Sequence, residues 1–331
     1  MKLAKYCASF ALAAIVFGGL PAAAADITLR FASVANESST WAPAQETFKR
    51  EFEARTDGRV EVQIFNNNTL GSNREALELA KNGAVDFVLS GTGHATRYAP
   101  LLNSVIFPYM WKDRETMFKV LDGEIGDQLS DSMNANNMSI IAYWDNGFRH
   151  VSNNKGPINK PEDIKGLKLR TLPSSVHVTF FKALGAVPTP MGFSELVPAL
   201  QQGVIDGQEN PPGVVYPYRL FEAQKYYSLT GHVNEPMLIV MSNAARDKLS
   251  EEDLKAMEEA IAIATEEERR LNDEKNSELL ELLRKEMEVN EVPDETIEQF
   301  RTVAKGIYDE AIADLGEGGQ ELIDALNEAN K

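Results

Sequence analysis

Alternating strand-like and helix-like segments occur twice in this sequence, and this repetition constrains the fold more than any other feature. Strand segments show apolar alternation, whereas helical segments show 3.6-residue spacing and end at glycine. The first series is predicted at residues 27–32, 41–56, 60–65, 72–83 and 85–89. The second series follows in the same order at residues 167–171, 176–184, 186–189, 194–202 and 204–206.

The two series share a helix-to-strand junction. Residues 81–86 read KNGAVD, and residues 201–206 read QQGVID. Two β-α-β-α-β units predict an α/β protein with two lobes and mostly parallel sheets. Ligands of such folds bind beyond the carboxyl ends of strands, often at helix N-termini, so a cleft between the lobes is the expected site. This architecture fits a hinged binding protein and also many two-domain enzymes.

The first 25 residues have the pattern of an export signal. Two lysines precede an apolar run over residues 7–20, which is too short to span a bilayer comfortably. Ala23 and Ala25 supply an A-x-A cleavage site and predict a mature start at Asp26, with an uncleaved anchor as the alternative. Cleavage would remove Cys7, the single cysteine, so a large core rather than disulfides must stabilise the exported, soluble protein.

Charge is distributed unevenly along the chain. The formal net charge is −17, and no basic stripe is present, which argues against a nucleic-acid partner. Residues 251–331 contain 25 acidic and 9 basic residues, against 25 and 22 in residues 26–250. Helical spacing predicts one helix from about 250 to about 288, with Ser250 as its N-cap. Its charged face is expected to be solvated, and a docking surface for a basic partner is the alternative.

Familiar catalytic motifs are missing from the sequence. There is no G-x-S-x-G, no P-loop and no complete G-x-G-x-x-G, of which residues 91–93 are only a fragment. The four histidines are not at metal-ligand spacing, so neither a metal site nor a cofactor is predicted. Asp206 and Glu209 form the one suggestive carboxylate pair, although an aspartate at a strand end more often caps a turn.

Two arginines are placed where they could bind an anion. Arg149 follows an Asn-Gly-Phe turn, and Arg170 lies near the end of a predicted strand. Each is beside the expected hinge. A guanidinium group is a planar fork that matches a carboxylate. The alternative for each arginine is a structural ion pair.

A series of motifs in the middle of the chain resembles a known family. Its segments are WDNGFRH at 144–150, PEDIKGLKLR at 161–170, ALGAVPTPM at 183–191, FSEL at 193–196, ALQQGVIDGQENP at 199–211 and QKY at 224–226. Their order and content resemble the DctP family, the extracytoplasmic solute-binding subunits of TRAP transporters. Several separate motifs make this resemblance specific, and it extends through most of the mature chain.

The resemblance implies a periplasmic, monomeric binding protein of two lobes, joined by a hinge and braced by the long C-terminal helix. Such a protein captures a small organic acid, which is a C4-dicarboxylate, a uronate or other sugar acid, or a keto acid, and delivers it to a membrane permease. The implied N-terminal lobe is 26–148 plus about 236–275. The implied C-terminal lobe is 149–235 plus about 276–331.

The resemblance also implies roles for individual residues. Arg170 would bind the ligand carboxylate, Asn210 would hydrogen-bond the same group, and Arg149 would make a second contact. Phe193 would line the pocket, and Asn36 would be a polar contact from the other lobe. On the residues alone, Phe193 is also compatible with plain core and Asn36 with a helix cap.

The far end of the ligand has no assigned partner. Some relatives carry an acidic residue just after the strand at 85–89, where this chain has Ser-Gly-Thr-Gly-His. The candidates for this end of the ligand are His94, Trp144, Tyr216 and Tyr218.

Two other functions fit the same residues. The first is an exported lyase or isomerase acting on a small carboxylate, with Asp206, Glu209 or His94 as its acid or base. The second is a sensor subunit that binds a ligand and then contacts a receptor.

Overall fold

The computed structural model describes residues 25–330, so the predicted export signal, apart from its last residue, lies outside the described part. Nine strands are present in these residues. They are β1 (Ile27–Ser33), β2 (Val60–Phe65), β3 (Phe87–Gly91), β4 (Met138–Asn153), β5 (Lys168–Thr171), β6 (Val187–Pro190), β7 (Gly207–Asn210), β8 (Tyr226–Ser242) and β9 (Glu288–Glu291).

Helices follow most of the strands. They are α1 (Trp41–Arg55), α2 (Asn73–Lys81), α3 (Thr92–Ala95), α4 (Arg114–Leu121), α5 (Glu124–Asp131), α6 (Ser175–Ala183), α7 (Phe193–Gln201), α8 (Pro212–Val215), α9 (Asn243–Arg246), α10 (Glu251–Glu286), α11 (Asp294–Gly306), α12 (Tyr308–Ala313) and α13 (Gly319–Ala329). Short 3₁₀ turns occur at Pro100–Ile106, Asn134–Asn136, Pro161–Ile164 and Leu220–Glu222. Over residues 25–330, no helix combines the length and the hydropathy that a bilayer crossing requires.

The strands form one continuous sheet built from two parallel groups. The strand order is β2-β1-β3-β8-β4-β7-β5-β6, with β9 also paired to β8. Pairing is parallel among β1, β2 and β3, and parallel among β5, β6 and β7. The long strands β4 and β8 pair antiparallel with each other and join the two groups. The mixed α/β class is therefore confirmed, and two long antiparallel strands are added to the predicted parallel ones.

The two strand groups are joined at an irregular point of the sheet. The β4–β8 register shifts between Asp145 and Phe148, and Gly147 there has φ +90°, a conformation that favours glycine. The predicted lobe limits, 148/149 and 235/236, fall inside these two strands beside the shift. A hinge motion between the two strand groups would therefore bend β4 and β8 at this register shift.

The repeated junction motif has the same structural role in both groups. The carboxylate of Asp86 accepts a hydrogen bond from the backbone N–H of Arg30 at 2.7 Å, and that of Asp206 accepts one from Lys168 at 2.9 Å. Each aspartate also donates its backbone N–H to the carbonyl of the same partner residue. These contacts come just before β3 and β7, so both strands begin later than predicted and extend further towards the sheet's carboxyl edge.

The predicted C-terminal helix is present as α10, a single helix of 36 residues. Ser250 caps it, since its hydroxyl accepts from the N–H of Asp253 while the Asp253 carboxylate accepts from Ser250. No glycine or proline interrupts it. The helix packs against α1 and β4, and also against α8 and β9, so it contacts elements beside both strand groups.

Apolar side chains on the two faces of the sheet form two separate cores. Val88 and Val240 point into one cluster, whereas Phe87, Leu89 and Ile239 point into the other, as alternation along a strand requires. Both cores are formed by buried residues from many elements. The carboxyl edge of the sheet lies between the two cores and can therefore carry polar residues.

Candidate ligand-binding cavity

A cavity lies where the two strand groups meet. Its volume is about 40 Å³, smaller than the roughly 300–1,000 Å³ of open small-molecule sites. It is lined by Val34, Trp41, Asn73, Gly91, His94, Asn146, Arg149, Arg170, Leu172, Phe193, Asn210, Val214, Glu235 and Met237. Strand ends β3, β5 and β7 and the first residues of α2 and α7 contribute to it, as expected for the carboxyl edge of an α/β sheet.

A larger depression, of about 610 Å³, lies elsewhere, between β4, α5 and α10. Its lining includes apolar residues such as Met257 and Ile261. The smaller cavity is the better candidate site because fixed polar groups converge in it.

Arg170 reaches the cavity from β5 and has no internal carboxylate partner among the residues that the structure describes. Its side chain is fully buried. Its Nε and Nη2 donate to the carbonyl of Met191 at 3.2 and 2.9 Å, while Nη1 has no hydrogen-bond partner. Burial lowers the pKa of Arg170 to about 10, so the group is still a cation at neutral pH. A buried cation with a free donor is costly unless a ligand pairs with it.

Arg149 lines the same cavity but is already paired. Its Nε and Nη2 donate to the carboxylate of Glu209, the latter at 2.9 Å, and its Nη1 donates to Glu235 at 2.7 Å. All three side chains are almost completely buried. Burial alone would lower the pKa of Arg149, but the two glutamates outweigh that effect and raise it. The structural ion pair that the sequence left open is therefore what the structure shows for this arginine.

Glu209 belongs to a buried network behind the cavity. Nε2 of His232 lies 3.3 Å from its carboxylate, and Thr230 contacts the other ring nitrogen of His232 at 2.8 Å. Burial would raise the pKa of Glu209, but Arg149 more than offsets it and keeps the carboxyl ionised. Because Glu209 is ionised and fixed in an ion pair, it is poorly suited to transfer a proton. Asp206 is also poorly suited, since its carboxylate accepts a hydrogen bond from the backbone of β5.

Glu235 is a cavity residue that the sequence analysis did not identify. Its carboxylate accepts hydrogen bonds from the N–H of Gly93 at 3.3 Å, from Nδ2 of Asn146 at 3.0 Å and from Arg149. The glycine fragment at 91–93 therefore binds a carboxylate, but this carboxylate is the side chain of Glu235 and not a ligand. A Cβ on Gly91 would lie 3.1 Å from this carboxylate, so glycine gives it room. Glu235 is the single acidic residue of β8, which is the signal that could have identified it.

Three other predicted residues also line the cavity. Asn210 lies at the end of β7, and one of its two amide hydrogens is donated to Gln208 at 2.5 Å, leaving the other available. Phe193, at the start of α7, packs edge-on against Tyr218 with ring centroids 4.8 Å apart. His94 follows β3 and is almost fully buried.

Four predicted residues do not line the cavity. Asn36 donates to the carbonyl of Pro217 at 3.2 Å and accepts from the N–H of Ser38, so it orders a loop instead. The indole of Trp144 is in the core and donates to Thr265 at 2.9 Å. The hydroxyl of Tyr218 donates to the carbonyl of Val34 at 2.6 Å, and Tyr216 packs on Phe221. Each of these side chains is held by an intramolecular contact, and Tyr218 supports the cavity from behind through Val34 and Phe193.

Buried histidines make stability sensitive to pH. Burial lowers the pKa of His94, His150 and His177 to about 3, whereas in the unfolded chain each is near 6.5. Between these values the unfolded chain binds protons that the folded protein excludes, so stability falls as pH falls. Each histidine contributes about 1.4 kcal/mol per pH unit. Buried carboxyls with raised pKa values, such as Glu235 and Glu268, offset part of this loss.

We expect the free energy of unfolding in urea to drop by about 2 kcal/mol or more between pH 7 and pH 5. A His94→Gln variant, which cannot titrate in this range, should show a shallower pH dependence. Equal stability at the two pH values would contradict the burial of neutral histidines.

Comparison with known proteins identifies the chain's relatives. Residues 31–314 match the family model of DctP, described as bacterial extracellular solute-binding protein, family 7. The 2,3-diketo-L-gulonate-binding periplasmic protein YiaO of Escherichia coli is 32% identical over 91% of this chain and 92% of its own length. The C4-dicarboxylate-binding periplasmic protein DctP of Rhodobacter capsulatus is 30% identical over 90% of both chains.

Solved structures agree with these matches. A TRAP periplasmic solute-binding protein from Polaromonas, bound to D-erythronate, has a TM-score of 0.86 and 36% identity, and the match covers 91% of this chain and 98% of that one. The family resemblance inferred from the motifs at residues 144–226 is therefore confirmed. The chain belongs to the DctP family of bacterial extracellular solute-binding proteins.

Proposed function

We propose that this protein captures a small organic acid in the cavity and delivers it to a membrane permease of a TRAP transporter. The ligand carboxylate binds Nη1 of Arg170 and the free amide hydrogen of Asn210. One observation carries this assignment: Arg170 is a fully buried cation that lines a cavity, and its Nη1 has no partner among residues 25–330. The family's solute-binding role and its acid-binding relatives support the same conclusion.

Hydrogen bonds to the ligand carboxylate are sufficient for tight binding, and no covalent step is needed. A hydrogen bond to a charged group contributes about 1.5–3 kcal/mol net, and exclusion of water strengthens it. Two or three such contacts, after the ordering costs of association, correspond to roughly micromolar affinity. Two of the three predicted acid or base residues of the enzyme alternative are committed elsewhere, Asp206 to the backbone of β5 and Glu209 to Arg149. The third, His94, lines the cavity.

Closure of two lobes on the ligand completes the proposal. The strand groups are joined through β4 and β8, whose register shift at Asp145 to Phe148 provides a hinge. The loop of Asn36, which follows β1, already bonds to the carbonyl of Pro217 across from it. In this proposal the protein acts as a monomer in the periplasm after removal of residues 1–25.

A thermal-shift screen of the mature protein, residues 26–331, against a library of carboxylic acids tests this function. A ligand at 100 times its Kd stabilises the folded state by about 2.7 kcal/mol, a clear shift in Tm. We expect at least one acid to give this shift and to be recovered unchanged by mass spectrometry. Conversion of the acid to a product would favour the enzyme, and the absence of any shift across the library would refute the proposal.

A further inference from the structure

We infer that the acid bound here carries one carboxylate and several hydroxyl groups, and that the protein discriminates against dicarboxylates. This inference rests on the proposed function and goes further, since it names the chemical class of the ligand. The discriminating surface is formed by Asn73, Asn146 and Glu235, and we call it the acceptor wall.

The distribution of charge in the cavity leaves a place for one carboxylate. Arg149 and Arg170 are the cations in its lining, over the part of the chain that the structure describes. Arg149 is neutralised by two glutamates in contact with it, at 2.9 and 2.7 Å. Only Arg170 has no carboxylate partner. A second ligand carboxylate would therefore enter a desolvated space beside Glu235 with no free cation to pair with, which is strongly unfavourable.

The acceptor wall instead offers oxygen atoms that need a donor. Asn146 donates its Nδ2 hydrogen to Glu235, which fixes the amide so that its Oδ1 points elsewhere, and this Oδ1 is buried without a partner. Oδ1 of Asn73 is also buried and unpartnered, at the first residue of α2. A carbonyl oxygen accepts hydrogen bonds and cannot donate them. Ligand hydroxyl groups satisfy these acceptors, whereas an ionised carboxylate, itself only an acceptor, does not.

The carboxylate of Glu235 can also accept one more hydrogen bond. Its two oxygens accept three hydrogen bonds, from Gly93, Asn146 and Arg149. An ionised carboxylate accepts about four. The remaining site, together with the two amide oxygens, makes a wall of acceptors within one cavity. The rest of the lining is largely apolar, with Val34, Leu172, Phe193, Val214 and Met237, and it excludes water around these contacts.

Calorimetric titration with three acids of equal carbon number tests the inference. D-Erythronate has one carboxylate and three hydroxyls, succinate has two carboxylates, and butyrate has one carboxylate and no hydroxyl. We expect erythronate to bind roughly 10- to 100-fold more tightly than either of the others, since it adds two or more hydrogen bonds. A six-carbon set of D-gluconate, adipate and hexanoate, with the same expected order, covers a longer ligand.

Failure of the inference is distinguishable from failure of the proposed function. If a dicarboxylate binds at least as tightly as the matching hydroxy acid, and Arg170→Met abolishes that binding, the inference is overturned while the proposed function stands. If butyrate equals erythronate, the acceptor wall makes no contribution and the inference is also overturned. If neither set binds at all, the inference is overturned, and the thermal-shift screen of the wider library decides whether the proposed function fails as well.

Two variants of the wall give opposite expectations. Glu235→Gln removes a negative charge from the wall and one of the two counter-charges of Arg149, so the erythronate-to-succinate affinity ratio should fall at least 10-fold. Asn73→Asp adds a negative charge to the same wall and should raise that ratio. If the apo melting curve shows that Glu235→Gln does not fold, Asn73→Asp alone still tests the assignment. Ratios that do not move in either variant would overturn the assignment.

Discussion

Replacing Arg170 with methionine is expected to weaken binding of the ligand by at least about 100-fold while the apo protein remains folded. Removing one partner of a buried ion pair costs about 3–5 kcal/mol, and each 1.4 kcal/mol is tenfold in affinity. Methionine has a similar length and fills the space of the arginine stem. Calorimetry with the best acid from the thermal-shift screen measures the loss.

Stability of the apo variant is the necessary control. Within the described part of the chain, Arg170 donates only to the carbonyl of Met191, so its loss removes neutral-acceptor bonds and breaks no ion pair there. We expect the free energy of unfolding in urea to change by no more than about 1–2 kcal/mol. Arg170→Lys keeps the charge but loses the planar fork, and it should bind with intermediate affinity. Unchanged ligand affinity in the methionine variant would contradict the proposed site.

Local sequence patterns were sufficient to predict the strands and helices of the two repeated units and the long helix α10. The capping pair Ser72 and Glu75 marks the start of α2 because the two side chains bond each other's backbone. The same logic places the start of α10 at Ser250. Both signals act over four consecutive residues, which is why they are readable without a structure.

The long strands β4 and β8 were not predicted, for a physical reason. Their residues are buried on both faces, and the pairing is interrupted by register shifts, so the alternation typical of a half-buried strand is lost. The starts of β3 and β7 were also misplaced by two or three residues. Asp86 and Asp206 bind the neighbouring strand's backbone there, a contact that the sequence does not show.

Some of the predicted site residues line the cavity, whereas residues whose partners are distant in sequence were missed. Arg170, Asn210, Phe193 and His94 all line the cavity. Glu235 was missed because its partners Gly93 and Asn146 are 142 and 89 residues away. The pairing of Arg149 with Glu209 likewise spans 60 residues. Motifs identify residue types, but which arginine is already neutralised depends on three-dimensional contacts.

Replacing Arg149 with methionine is expected to destabilise the apo protein by about 3–5 kcal/mol, in contrast to the same change at Arg170. Loss of this guanidinium leaves Glu209 and Glu235 buried without a counter-charge, and breaking a buried ion pair by removing one partner has a cost of this size. The measurement is urea unfolding at pH 7.5 for the native protein and both methionine variants.

A double variant separates the charge effect from lost packing. Glu209→Gln added to Arg149→Met removes one of the stranded charges, so it should recover part of the stability, with a coupling energy of at least about 1 kcal/mol. If Arg149→Met instead unfolds within 1 kcal/mol of the native protein, Arg149 does not stabilise the fold through these pairs. Its guanidinium would then be free for a ligand, and a second carboxylate would again be compatible with the cavity. The two arginines thus differ in function because only one of them has its counter-charge within the protein.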